Sequence, residues 1–105
     1  MTPQDWVEKF DFVLESYTLQ VLPSELRRKA TAEIASFVKP GGTLLVICRG
    51  RDPSDSEGKM PWPLTMEDLD VLKLYGLREM ASEDYMDDEK PPVRRFRVMY
   101  RKQDV

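Results

Sequence analysis

Apolar positions gather in separate groups along the chain, and their spacing changes from one group to the next. Phe10-Asp11-Phe12-Val13-Leu14 is rich in aromatic and β-branched residues and ends in Glu15-Ser16. It predicts a short strand. After Tyr17-Thr18-Leu19-Gln20-Val21-Leu22-Pro23, Ser24 reads as a helix N-cap and Glu25 suits the first turn, where exposed N–H groups favour an acid. From Glu25 to Val38, residues Leu26, Ala30, Ile34, Phe37 and Val38 recur at helical spacing, with Arg27, Arg28, Lys29 and Glu33 mainly opposite. Pro40-Gly41-Gly42 is expected to stop this helix. Thr43-Leu44-Leu45-Val46-Ile47-Cys48 is then almost unbroken in its apolarity, the pattern of a strand covered on both faces.

Strand, helix and buried strand thus follow within one βαβ length, which predicts a parallel pair with a right-handed crossover. Arg49 to Pro63 is polar and loop-like. Thr65 reads as an N-cap with Asp68 in capping-box position, and Leu69, Leu72 and Met66 form a stripe ending at Tyr75. Gly76 stands where a left-handed C-terminal residue belongs. Leu77 to Tyr85 predicts a strand of poor alternation, and Asp84 to Pro92 an acidic, proline-ended turn. Val93 to Arg101 alternates cleanly, with Phe96, Val98 and Tyr100 on one side and Arg95, Arg97 and Arg101 on the other. The last two strands should pair antiparallel. The whole chain, 1–105, reads as one α/β domain in the order strand-helix-strand-helix-strand-strand, with a C-terminal antiparallel hairpin.

Composition narrows the chemistry. Of 105 residues, 16 are basic and 19 acidic, so the net charge of −3 supplies no general field for nucleic acid. With no histidine and a single cysteine, Ser-His-Asp and Cys-His catalysis and Cys/His zinc sites are excluded within the chain. An intrachain disulfide is impossible, which suits a reducing compartment. No apolar run approaches membrane-spanning length and the start does not read as a signal peptide, so a cytoplasmic location, with no membrane partner, is expected. Cys48, inside an apolar run, reads as an inert buried thiol. The six methionines read as core filler. Arg94, Arg95 and Arg97 face the acids Glu83, Asp84, Asp87, Asp88 and Glu89, so cross-strand charge pairing is the better reading than a phosphate or RNA patch. Those acids lack the order and the glycine of a calcium loop, and no metal site is expected.

Phe10-Asp11-Phe12-Val13-Leu14-Glu15, Pro40-Gly41-Gly42-Thr43-Leu44-Leu45-Val46 about thirty residues later, and the Thr65 helix ending at Gly76-Leu77 together resemble the C-terminal half of class I S-adenosylmethionine-dependent methyltransferases. The resemblance implies a partial Rossmann-like sheet, strands four to seven, running from Phe10 to about Lys102. It also implies transfer of the methyl group of S-adenosylmethionine to a small-molecule acceptor. The family's glycine-rich cofactor loop has no counterpart here: the five glycines stand at 41, 42, 50, 58 and 76, and none forms Gly-x-Gly after a strand. The chain therefore corresponds to the substrate-side half, expected to be inactive alone and not to bind the cofactor by itself. A shortened form, a split protein whose partner supplies the first half, and a relic that folds as an oligomer would each account for such a half.

The resemblance places site residues at strand ends. Glu15 is the candidate catalytic group, orienting an acceptor or acting as a base. Glu15, Ser16 and Tyr17 border the cofactor, while Arg49, Arg51 and Trp62 line the substrate side, where two arginines suit an anionic or polar group. Each has a structural alternative: Glu15 a solvated strand end, Tyr17 a loop anchor, and the arginines ordinary partners of Asp52 or Asp55. Strand four of the family pairs with the missing strand one. Phe10–Leu14 is then an apolar edge expected to pair in a homodimer or with a missing N-terminal half. The alternative function is a non-catalytic module that associates through this edge.

Overall fold

The computed structural model describes residues 9–16, 19, 22–55 and 63–103. Strand β1 spans Phe10–Ser16, helix α1 Ser24–Phe37 and strand β2 Val38–Arg49. Helix α2 spans Met66–Asp70 and continues as a 3-10 helix over Val71–Tyr75. Strands β3, Leu77–Met86, and β4, Arg94–Lys102, complete a four-stranded sheet of order β1-β2-β4-β3. β1 runs parallel to β2, whereas β4 is antiparallel to both β2 and β3.

The turn glycines behave differently from one another. Gly76 closes the 3-10 helix at φ 83, as its position predicts. Pro40-Gly41-Gly42 does not stop α1, which has already ended at Phe37. Instead it lies within β2 as an irregularity: Phe10 pairs with Val38, but Phe12 pairs with Thr43. Gly41 takes φ 81 there. At Gly42 a side chain would meet the carbonyl oxygens of Asp11 and Lys39 at 2.9 Å, so only glycine lets the two strands close up. Lys39 and Asp11 form an ion pair across the same irregularity.

Helix α1 is rotated relative to its apolar pattern. Leu26 is 52% exposed, whereas Arg27, Thr31, Ala35 and the following Val38 are buried, with Ala30 and Ile34 packed against the core. Arg27 turns inward because the preceding loop needs donors: its guanidinium donates to the carbonyls of Leu19 at 3.2 Å and Leu22 at 3.1 Å. A buried carbonyl left unpaired costs more than an exposed leucine. The N-cap position falls on Pro23, and Ser24 is the first helical residue. At α2 the capping box forms in full, with Thr65 Oγ1 accepting from Asp68 N at 3.0 Å and an Asp68 carboxylate oxygen accepting from Thr65 N at 2.9 Å.

α1 and the 3-10 helix pack on one another over one face of the sheet. That face holds the core: Leu44, Val46 and Cys48 of β2, then Phe96, Val98 and Tyr100 of β4, closed by Leu64, Leu69, Leu72 and Leu77. β2 is not buried equally on both sides as its run predicts. Leu45 and Ile47 are only half-buried, and beside them Phe12 and Leu14 are 55% and 56% exposed. The described helices cover one face only, and Met99 on the open face is also exposed. The core-filler reading of the methionines fails for the same reason. Met66 packs on the core, but Met80 and Met86, like Met99, are exposed. No helix among the described residues is long and apolar enough to cross a membrane.

Candidate functional site

In open α/β sheets ligands bind beyond the carboxyl ends of the parallel strands, because connecting loops there diverge and leave a crevice. Here those ends are Glu15-Ser16 on β1 and Arg49 on β2, held side by side by the pairing of Glu15 with Val46 and Ser16 with Ile47. Glu15 lies on the helix-covered face and is buried, although it belongs to an edge strand. It is thus not the solvated strand end that was its structural alternative. Ser16, the next residue, faces the open side and is half-buried.

The carboxylate of Glu15 acts on Cys48. Burial pushes the Cys48 thiol up to about 12, and the charges of Glu15 and Asp68 push it the same way against Arg95. Such a thiol stays protonated and is no nucleophile.

β2 ends at Arg49, and Gly50 continues it by bridging in parallel to Leu64. Gly50 N donates to Arg94 O at 3.0 Å, and Leu64 N to Arg49 O at 2.9 Å, so the loop begins and ends on the sheet. Gly50 is required there because a side chain would strike the Phe96 ring at 2.6 Å. Arg51 works as the clasp of this loop. Its guanidinium donates to the carbonyls of Pro63 at 3.3 Å and Asp55 at 3.0 Å, with a longer contact to Asp52 O at 3.4 Å. Its partners are therefore backbone carbonyls and not the carboxylates of Asp52 and Asp55. Arg49 is half-buried and pairs in register with Arg95. Tyr17 and Trp62 lie outside the described residues.

The hairpin supplies charge to the same rim, and its pairing is as expected. Arg94 forks onto Asp84 at 2.9 and 2.7 Å, reaches Asp52 at 3.0 Å and lies 5.2 Å above the Phe96 ring. Arg95 bridges Asp87 at 2.9 Å and Glu89 at 2.6 Å. Asp87 also accepts from the N–H groups of Glu89 at 3.0 Å and Val93 at 2.9 Å. Burial disfavours its charge, but those donors and Arg95 prevail and hold the carboxyl far below the usual carboxylate range. The role of Asp87 as organiser of the turn was missed in the sequence. The signal was present in an aspartate two residues before Glu89, an Asx-turn spacing. The contact between Arg94 and Asp52 had no signal, since 42 positions separate them.

The glycines among the described residues do not form the glycine-rich part of a cradle for S-adenosylmethionine. A cofactor loop needs glycines whose missing side chains leave room for a ligand. Over Gly42 that room is filled by Asp11 and Lys39, over Gly50 by Phe96, and Gly76 is a helix terminus.

No family model matches the chain. A thiopurine S-methyltransferase of Vibrio atlanticus is 25% identical over 89 residues, covering 83% of this chain and 40% of that protein. The chain thus spans less than half the length of that relative. A methyltransferase structure from Methanosarcina mazei described as S-adenosylmethionine-dependent superposes with a TM-score of 0.77 at 15% identity, covering 99% of this chain and 64% of the other. The 1,6-didemethyltoxoflavin N1-methyltransferase of Burkholderia thailandensis, solved with S-adenosylhomocysteine, gives 0.75 at 16% identity over 93% of this chain and 46% of that one. The N-methyltransferase NodS of Bradyrhizobium japonicum, also holding S-adenosylhomocysteine, gives 0.72 at 13% identity, with coverage of 97% and 49%. These likenesses show the class I S-adenosylmethionine-dependent methyltransferase fold, and their coverage fits a chain that carries part of it.

Proposed function

With that fold as the premise, we propose that this chain supplies the substrate-side half of an S-adenosylmethionine-dependent methyltransferase acting on a small-molecule acceptor, and that it is inactive alone. The observation that carries this reading is Glu15: a carboxylate 5% exposed at the carboxyl end of a parallel edge strand, beside the clasped end of β2. This is the strand end where the fold class places its ligands. Its proposed work is to orient the acceptor or accept its proton. Ser16 and Tyr17 border the cofactor, and Arg49, Arg51 and Trp62 form the acceptor side. S-adenosylmethionine is already an activated methyl donor, so the protein's contribution is alignment and exclusion of water. The compartment proposed is the cytoplasm.

A chimera tests this. The chain is joined to the portion of the Vibrio atlanticus relative that lies outside the match, and methyl transfer to a panel of small thiols, phenols and amines is measured. The chain alone is expected to show no saturable binding of S-adenosylmethionine below about 1 mM, whereas the chimera binds in the micromolar range. Glu15→Gln in the chimera should lower kcat/KM by about a hundredfold, the scale of a lost acid–base group. Submillimolar binding by the chain alone would refute its incompleteness, and an unchanged rate in Glu15→Gln would refute the role of that residue.

A second reading, association without catalysis, is favoured by the apolar edge: Phe12 and Leu14 are 55% and 56% exposed on a strand that lies at the edge of the sheet formed by the described residues. Such an edge recruits another strand. We propose that β1 pairs with its own copy when the chain is alone and with the first half when that is supplied. Light scattering at micromolar concentration should report a dimer, and Phe12→Lys a monomer. A monomeric wild-type chain contradicts the pairing.

A further inference from the structure

The β3–β4 hairpin treats its arginines differently at its two ends. Near the turn, Arg94 and Arg95 are each matched to carboxylates. At the far end, Arg78 and Arg101 are placed directly opposite one another across the two strands. Among the described residues neither forms an ion pair, and the one side-chain contact of Arg78 is to the Met80 sulfur at 3.9 Å. Like charges in this position repel, so a sheet gains nothing from the pair unless something else sits between them.

There is room for it. Arg78, Arg101, Lys102 and Gln103 line a cavity of about 380 Å³. Its frame is held by this chain's own bonds: Lys102 Nζ donates to Ala35 O at 3.0 Å, and Gln103 N to Gly76 O at 2.9 Å. Lys102 alternates with Arg101 along β4 and sends its ammonium to α1 on the helix-covered face, so the cationic donors on the open face are the two guanidinium groups. Volumes from about 300 Å³ upward are those of small-molecule pockets.

We propose that this cavity is a binding site for a small phosphate-bearing dianion, gripped by the guanidinium groups of Arg78 and Arg101. Two planar donor forks match a tetrahedral anion of two charges better than a single carboxylate. An extended nucleic acid fits less well. The chain is net negative, and Asp84, Asp87 and Glu89 further along the same hairpin would repel it. The cavity is separate from the rim formed by Glu15 and Arg49. Arg101 pairs with Thr43, six positions before the carboxyl end of β2 at Arg49, on the side where β2 begins. The site is thus independent of the methyltransferase reading, and its occupancy would relieve the repulsion and stabilise the hairpin.

Calorimetric titration of the full chain with inorganic pyrophosphate, and separately with inorganic phosphate, tests the site. Pyrophosphate is expected to bind with a submillimolar Kd and to raise the melting temperature. Arg78→Gln and Arg101→Gln should each weaken binding by about tenfold or more, while Arg28→Gln on the exposed side of α1 leaves it within about twofold. Both hairpin variants remove a repulsion at exposed positions, so without ligand they should melt at or above the wild-type temperature. Absence of saturable heat up to about 10 mM, or equal weakening by Arg28→Gln, overturns the site and leaves only general screening.

Discussion

Replacing Phe96 by alanine is expected to lower the unfolding free energy by about 3–5 kcal/mol, the range for removing a buried aromatic ring. Phe96 is 1% exposed in the middle of the sheet, paired with Cys48 on β2 and Asp84 on β3. Two other features converge on its ring. Gly50 lies so close over it that an added carbon would sit 2.6 Å away, and the Arg94 guanidinium stacks at 5.2 Å. The cavity left by truncation cannot collapse easily, because the backbone above it is tied to Arg94 O and the bridge to Leu64. Domains of this size have total stabilities of about 5–15 kcal/mol. The loss should therefore lower the melting temperature by roughly 15 °C or more. Urea unfolding of the two proteins measures it, and a difference below about 1 kcal/mol contradicts the packing described. Gly50→Ala should also destabilise the wild type, and should do so less in the Phe96→Ala background, where the ring it strikes is gone.

The second large effect lies at high pH. The Cys48 thiol is pushed by burial, and then by the charges of Glu15 and Asp68, from its ordinary 9.0 to about 12. A folded-state value above the unfolded one means the unfolded chain releases its proton first. The stabilisation is complete below pH 9 and is lost as pH rises towards about 12, at about 1.4 kcal/mol per pH unit. The whole window then removes about 4 kcal/mol. Tyr100 acts in the same direction: burial, then Glu79 and Asp70, raises its hydroxyl above the ordinary tyrosine range. Cys48→Ala isolates the cysteine. Its unfolding free energy should decline with pH less steeply than the wild type's, and parallel curves would contradict the assignment. At about pH 8 a thiol reagent should modify the native protein about a thousandfold more slowly than the unfolded chain, from the thiolate fraction alone.

The sequence was legible where one residue decides one local conformation. The left-handed turn at Gly76, the reciprocal cap of Thr65 and Asp68, and the alternation of Phe96, Val98 and Tyr100 against Arg95, Arg97 and Arg101 all follow from short-range chemistry. It was less legible where two segments must satisfy one another. Arg27 looks like a surface residue until the carbonyls of Leu19 and Leu22 are seen to require it, and Leu26 is displaced as a result. Pro40-Gly41-Gly42 reads as a stop, yet with Asp11 beside it becomes an irregularity inside a strand. For the site, the strand ends Glu15-Ser16 and Arg49 were readable from where the apolar runs close. The use of Arg51 as a clasp and of Asp52 by Arg94 was not, because both join residues far apart in the chain, Arg51 to Pro63 and Asp52 to Arg94.

The pattern of apolar positions by itself therefore determined the α/β class, because periodicity and turn residues act over a few neighbours, while the resemblance to the later strands of a methyltransferase rests on particular motifs such as Pro40-Gly41-Gly42-Thr43. The tertiary structure decided which face of each element is covered. A strand as apolar as Thr43–Cys48 carries no mark of which side lacks a helix. Only the packing of α1 and the 3-10 helix on one side shows that Phe12, Leu14, Leu45 and Ile47 face the side that no described helix covers. Burial is a property of pairs of surfaces, and a linear sequence lists the surfaces without pairing them.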